Sequence, residues 1–395
     1  MKLGISSRVT NCSKRDMCTR GSERSACSGA RAPLERLRSL DLLRALATLE
    51  MVVGHTLHAT LLPAVYEGTG LAWWRGVRGH TAVAFMFAAG AVLGFRLMAL
   101  RDAPHGIRQR AWRKRLRRYA LILVLGYMLR FPVHGLLHPP TPWWRAFGSI
   151  WQVDVLQCIA ISLVLADLIL RRFGMGVGAV VLAVLGLPLV ALGGAALSVP
   201  LLGLEPIDSY LSVAHGSPFP LIPWAGFLWF GAAVGVVLAR AQLRFPRLRF
   251  WRGEFALWAA LVLAAGLLTG VARALELGGS YRLERLIWVA LAAGVCAVVV
   301  GLWGKLPTML DWVSRNSLEI YFIHIHLVYS GRVGVRDWAG KRLDLGEALG
   351  VALAILALSC VATLALHWLL RAVRRQGRPK ALRWSVQRES RGGDG

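Results

Sequence analysis

An arginine and a histidine eleven positions apart, Arg44 and His55, sit inside one of the most apolar stretches at the start of this chain. The stretch is RLRSLDLLRALATLEMVVGHTLHAT, residues 36–60, and its run from Leu42 to Leu62 is long enough to cross ~30 Å of hydrocarbon as a helix. Asp41 and Arg44 lie toward one end, His55 and His58 toward the other. At ~100° per residue, eleven positions return a side chain to almost the same face. Asp41, Thr48 and His58 fall near that stripe, and Leu42, Leu43, Leu46, Leu49 and Val53 fall largely away from it. A charge turned to lipid is expensive, so this face is expected to line the bundle interior or a wet cavity. An imidazole held there can take a proton from a hydroxyl or an amine. The competing reading is an interfacial anchor at Asp41 and Arg44 with a packed histidine above it.

Other polar residues gather in two layers. On one side are His55, His58, His80, His134, His138, Asp154, Gln157, Glu205, Asp208 and His215. A carboxylate such as Asp154 suits the role of orienting an imidazole through its second nitrogen. A later helix, SRNSLEIYFIHIHLVYS, places Ser317, Tyr321 and His324 on one stripe and Glu319 and His326 on another. On the opposite side, 108–118 reads RQRAWRKRLRR, seven Lys or Arg among 11 residues. Arg110, Arg113, Lys114 and Arg117 are the candidates there for gripping the phosphates of a nucleotide-bearing donor. Attraction to anionic lipid accounts for the same cluster without a donor.

The elements that must position these residues are membrane helices. Of 395 residues, 56% are hydrophobic and only 17% charged, and the mean hydropathy is +0.52. No soluble domain of this size repeats near-continuous apolar runs of about 20 residues along most of its length. The net charge of +26 does not indicate a nucleic-acid binder, because the basic residues are confined to connectors and form no recognisable module. No Walker loop, Rossmann glycine pattern or metal-binding motif is present, so no metal is expected. Three of the six cysteines lie in the polar N-terminal segment without zinc spacing, and three lie in apolar runs. Residues 1–35 are rich in Ser, Gly and Arg with no apolar h-region, and are expected to be a disordered basic tail rather than a signal peptide. Residues 371–395 form a second basic tail.

The fold expected is an all-α polytopic bundle of about ten transmembrane helices, near 41–62, 81–99, 117–134, 150–170, 176–199, 219–239, 254–272, 285–303, 316–334 and 348–370. With the N-terminus inside, Lys and Arg number 35 in the cytoplasmic segments and 10 in the outer ones, and Arg44 and Arg130 complete the 47. That strict alternation predicts both termini in the cytoplasm.

Arg44 and His55 on the first helix resemble the signature of the acyltransferase-3 superfamily of multi-pass membrane acyltransferases. SLDLLRALATLEMVVGH resembles the opening of its heparan-alpha-glucosaminide N-acetyltransferase-like branch, with Ala45 where many relatives carry glycine. TAVAFMFAAGAVLGFR, DVLQCIAISLVL, SPFPLIPWAGFLWFGAAVGVVL and RNSLEIYFIHIHLVYS resemble its later motifs in the same order, so the likeness runs over roughly 36–370. The resemblance implies transfer of an acetyl or other short acyl group from a cytoplasmic acyl-CoA, used as co-substrate. The acceptor implied is a hydroxyl or amine on a glycan, glycolipid or other small molecule across the cell (inner) membrane. By the same resemblance His55 is the base or transient acyl carrier, and Arg44 positions the donor or holds the first helix in register. A transporter of a small or lipid-linked solute is the alternative that polar stripes in glycine-rich helices also fit.

The charge asymmetry predicts that single cysteines placed in 63–80, 201–218 or 335–347 react with an impermeant maleimide from outside intact cells. Cysteines in 97–116 react only after lysis; outside labelling there would overturn the orientation.

Overall fold

The computed structural model describes residues 34–131, 150–192, 200–245, 251–276, 280–330 and 334–376. The expected tails, apart from their innermost residues, lie outside the described residues, as do His134 and His138. All regular structure among the described residues is helical, and a single parallel bridge joins Leu61 to Leu343. The chain divides into a main unit, Pro33–Ala357, and a second unit whose described residues begin at Leu358.

The helices are α1 (Arg38–Thr60), α2 (Pro63–Glu67), α3 (Ala72–Ala99), α4 (His105–Arg130), α5 (Val155–Leu192), α6 (Glu205–Leu211), α7 (Leu221–Arg244), α8 (Trp251–Ala274), α9 (Ser280–Trp303), α10 (Thr308–Arg315), α11 (Ser317–Tyr329), α12 (Val335–Ala339) and α13 (Leu345–Gln376). Among the described residues six segments are long and apolar enough to cross a membrane: Thr69–Ala99, Val155–Ala191, Leu221–Arg244, Arg252–Ala274, Arg282–Trp303 and Leu345–Val373. The other expected spans are also helical, but α1 and α4 carry charges, and α11 with 13 residues extends only ~20 Å.

The segment Val155–Ala191 covers two of the expected spans. At ~1.5 Å per residue, 37 residues would reach ~55 Å, nearly twice the hydrocarbon thickness. The chain resolves this at Gly174, whose φ of 75° and ψ of 165° break the helix in a region that favours glycine. A Cβ on Gly178 would lie 3.0 Å from the Cα of Leu170, eight residues back. A continuous helix would hold those positions ~12 Å apart, so α5 is a hairpin with its bend at Gly174.

The scaffold is built on small residues. Gly90 and Gly94 of α3 face the α7 backbone at Leu228, Ala232 and Val236, and Gly231 and Gly235 of α7 face the α3 backbone at Phe87 and Ala91, each helix contributing a Gly-x-x-x-Gly pair. A Cβ at Gly90 would come within 1.9 Å of the Leu228 carbonyl oxygen, and one at Gly235 within 2.0 Å of that of Ala91. The two backbones touch directly, which is how membrane helices gain dispersion energy where no hydrophobic effect separates protein from lipid. Against α3 lies α1, with 15 of its 23 residues buried, so it is an interior helix and its polar groups need partners within the protein.

Gly90→Ala should cost roughly 1–3 kcal/mol, since the backbones must separate to admit the methyl group. Gly270→Ala on α8 meets nothing within 4 Å and should be neutral or slightly stabilising. Thermal unfolding in detergent compares the two; equal melting temperatures would show that the contact does not hold α3 to α7.

Candidate active site

The polar stripe of α11 meets three separate partners. At its first residue, the Ser317 hydroxyl accepts a bond of 2.9 Å from Arg44 Nη2. One turn on, the Tyr321 hydroxyl donates to Asp154 Oδ1 at 3.4 Å. Two turns on, His324 Nε2 lies 3.0 Å from His55 Nδ1, and the two rings stack with centroids 5.3 Å apart. Ser317, Tyr321 and His324 are all buried, while Arg44 and His55 are partly so. Because Arg44 and His55 pair in that order with Ser317 and His324, α1 and α11 run parallel.

Hydrogen-bond chemistry assigns the tautomers of the histidine pair. The Ile320 carbonyl lies 3.1 Å from His324 Nδ1, and a carbonyl only accepts, so that nitrogen carries the hydrogen. In a neutral ring His324 Nε2 is then an acceptor, and His55 donates to it from Nδ1. This leaves the lone pair of His55 on Nε2, available for a proton or an acyl group. The Tyr329 hydroxyl donates to the His55 carbonyl at 3.3 Å, and the two rings meet edge to face.

Asp154 stands just before α5, where its Oδ1 accepts from the Val155 N–H at 2.7 Å. Gln157 accepts from the Asp154 N–H at 2.9 Å, closing the other half of a capping arrangement. Oδ2 faces Arg130 Nη2 at 3.3 Å, and Arg130 Nη1 also donates to Gln152. Asp154 is therefore joined to His55 only at a remove: Tyr321, its partner, packs edge to face on His324 with centroids 5.4 Å apart.

The remaining candidates disperse. His58 packs on Tyr66, and His80 bonds to the Gly76 carbonyl and lies against Trp288. Asp208 is buried and accepts from the Leu201 and Leu202 N–H groups, fastening the loop before α6. His326 bonds to the Phe322 carbonyl, away from the Ser317–Tyr321–His324 stripe. Arg110, Arg113, Lys114 and Arg117 are all exposed along α4. Among the described residues no three side chains of metal-ligating type converge. Sequence spacing marked the α11 stripe but not its partners: the His55–His324 bond joins residues 269 apart, and only the fold brings them together. Two buried carboxylates escaped notice, Glu254 bonded to Ser39 and Asp167 bonded to Arg115 and Tyr119, because each sits singly in an apolar helix.

A family model described as heparan-alpha-glucosaminide N-acetyltransferase, catalytic, matches residues 36–267, more than half of the chain. The matched region includes Arg44, His55 and Asp154 and ends before α11. No curated protein matches the chain.

Asp154 serves as both cap and counter-charge, and two substitutions separate these roles. Asp154→Asn keeps a capping side chain but removes the charge opposite Arg130, a loss of about 1–3 kcal/mol. Asp154→Ala also removes the cap, worth ~1 kcal/mol more. The Ala variant should melt below the Asn variant in detergent; coincident melting would mean the cap bears no weight.

Proposed function

The chain belongs to the heparan-alpha-glucosaminide N-acetyltransferase catalytic family, and from that membership we propose that it moves an acetyl or other short acyl group across the membrane. The donor is a cytoplasmic acyl-CoA, and the acceptor is a hydroxyl or amine of a glycan-type molecule on the far side. The bundle has ten crossings with both termini inside, a topology that the parallel run of α1 and α11 supports. Both helices then start from the cytoplasmic face, with Arg44 and Ser317 on the donor side and the histidine pair ~16 Å further along α1.

The observation that carries this reading is the His55–His324 pair. His55 Nε2 takes the proton of the acceptor hydroxyl or amine as its oxygen or nitrogen attacks the thioester carbonyl. The C–S bond breaks, and the coenzyme thiolate leaves with the proton that His55 returns. In the two-step form Nε2 itself attacks, the C–S bond breaks to release the thiolate and leave an acyl-imidazole, and the acceptor then attacks that acyl group as the C–N bond breaks, its proton passing to the freed Nε2 and on to the thiolate. In both, His324 accepts from His55 Nδ1–H and steadies the charge that grows on the ring, as a carboxylate does in a hydrolase triad. Arg44, tied to Ser317, keeps α1 in register with α11 and presents a cation beside the path of the thioester arm. Asp154 acts on the pair through Tyr321 and so is a positioning residue. Arg110, Arg113, Lys114 and Arg117 give the donor side its positive field, which draws a polyphosphate ligand to that face.

The test uses purified protein, acetyl-coenzyme A labelled in its acetyl group, and a periplasmic glycan extract. Wild type should transfer label, and His55→Gln should lose at least the ~10²–10⁴-fold that positioned proton transfer contributes, with coenzyme A affinity unchanged. Transfer at the wild-type rate by His55→Gln would remove His55 from the chemistry. Acceptor accumulation in vesicles with no donor consumed would replace the enzyme by a transporter.

A further inference from the structure

The basic stretch of α4 has two faces. At ~100° per residue Arg110, Arg113, Lys114 and Arg117 share one side. Arg108 and Arg115 lie on the opposite side, in line with Tyr119, Ile122 and Gly126, the buried residues of this helix. That inner side borders a cavity of about 390 Å³ where the end of α3, the start of α4 and the bend of α5 meet. Arg101, Arg108, Arg115 and Arg171 line it beside His105 and several leucines, and among the described residues no acidic side chain does. The volume is in the range of small-molecule sites.

The four guanidinium groups are held differently. Asp167, fully buried, accepts from Arg115 Nε at 2.6 Å and Nη2 at 3.3 Å, and also from the Tyr119 hydroxyl at 3.0 Å. Arg115 is thus fixed from behind. Arg101 pairs with the exposed Asp102. Arg171 lies over the Trp112 ring with its guanidinium carbon 4.6 Å from the centroid. Among the described residues, neither Arg108 nor Arg171 has a carboxylate partner. The bend at Gly174 brings Arg171 to the rim, and Gly174 itself lines the cavity. An anchored arginine, a ring-stacked one and an unpaired one around a concave space form a receptor for a phosphate group, which guanidinium binds through paired N–H bonds.

We propose that this cavity binds a phosphate-bearing ligand, with Arg108, Arg115 and Arg171 as its contacts. Two sources supply that chemistry: the nucleotide end of the acyl donor, which rests on the function proposed above, or an anionic lipid headgroup whose chains lie along the neighbouring leucines.

The experiment uses the full chain. Arg108→Gln/Arg171→Gln is compared with Arg244→Gln/Lys305→Gln, which removes two charges elsewhere. Coenzyme A and pantetheine binding are measured in detergent by calorimetry, and retention of phosphatidylglycerol against phosphatidylcholine by native mass spectrometry. The cavity variant should bind one phosphate ligand about tenfold or more weakly, the scale of losing charge-assisted bonds, with the control unchanged. Weaker coenzyme A binding with pantetheine unaffected identifies the donor; loss of phosphatidylglycerol alone identifies the lipid. Unchanged binding of both ligands, with wild-type melting, overturns the site, while label transfer by the same preparation shows whether the proposed function still stands. Single Arg108→Gln, at an exposed side chain with no carboxylate partner among the described residues, serves if the double variant does not fold, and should show a weakening of the same kind.

Discussion

A cation and an imidazole at membrane depth need partners inside the protein, and that requirement governs how α1 and α11 are placed. Arg44 finds Ser317 and His55 finds His324, so two bonds fix the register of one helix against the other. Sliding α11 by one residue would turn Ser317 and His324 away from α1 together, leaving both α1 groups without their partners at a cost of several kcal/mol in hydrocarbon. The break at Asn316 aids this alignment. Its side chain bonds to the Trp312 carbonyl at 2.7 Å, closing α10 and letting α11 start on a new axis at Ser317. At the other end of α1 the N–H groups of Lys341, Arg342 and Leu343 donate to the Ala59 and Thr60 carbonyls. Those carbonyls have no partner within the helix, and the loop before α13 satisfies them.

Rigidity around the histidine pair comes from elements outside it. The glycine contact between α3 and α7 sets two backbones directly against each other, and α1 packs on α3. Asp154 ties the start of α5 to Arg130 at the end of α4 and to Tyr321 on α11. Three helices thus meet on one carboxylate, and Tyr321 passes that placement on to His324 by ring contact. A polar pair keeps one geometry only when the residues around it are themselves fixed, and a network of this kind supplies that hold.

What the sequence makes legible follows from periodicity. The α11 stripe at 317, 321 and 324 can be read from helical spacing, because one helix sets all three directions. So can the hairpin of α5, from a run too long for one crossing with glycines in its middle. The partner of His55 cannot be read that way: Asp154 and His324 are both polar, intramembrane and distant in sequence, and only packing chooses between them. The basic stretch of α4 illustrates a different loss. Counting seven charges in 11 residues hides the face each one takes, and the arginines that reach a cavity are those aligned with Tyr119 and Gly126. Asp167 in α5 was invisible because a lone carboxylate in an apolar run gives no hint of the arginine it meets.

The helices that hydropathy recognises least well are the ones that carry the polar work. Neither α1, α4 nor α11 is among the six long apolar segments, yet these three supply Arg44 and His55, Arg108 and Arg115, and Ser317, Tyr321 and His324. The cause is physical. A hydropathy scale charges each polar residue the cost of meeting lipid alone, whereas in the folded bundle that cost is offset by a partner on another helix. The apolar helices α3, α7, α8 and α9 can face lipid or each other, and glycines together with buried aromatics such as Phe87, Phe227 and Trp258 pack them. A helix such as α1 is stable only when enclosed, as the burial of 15 of its residues shows. A bundle built this way separates helices by the kind of contact each can tolerate, and the polar groups of α1 and the Ser317–Tyr321–His324 stripe end up buried or partly buried in its interior.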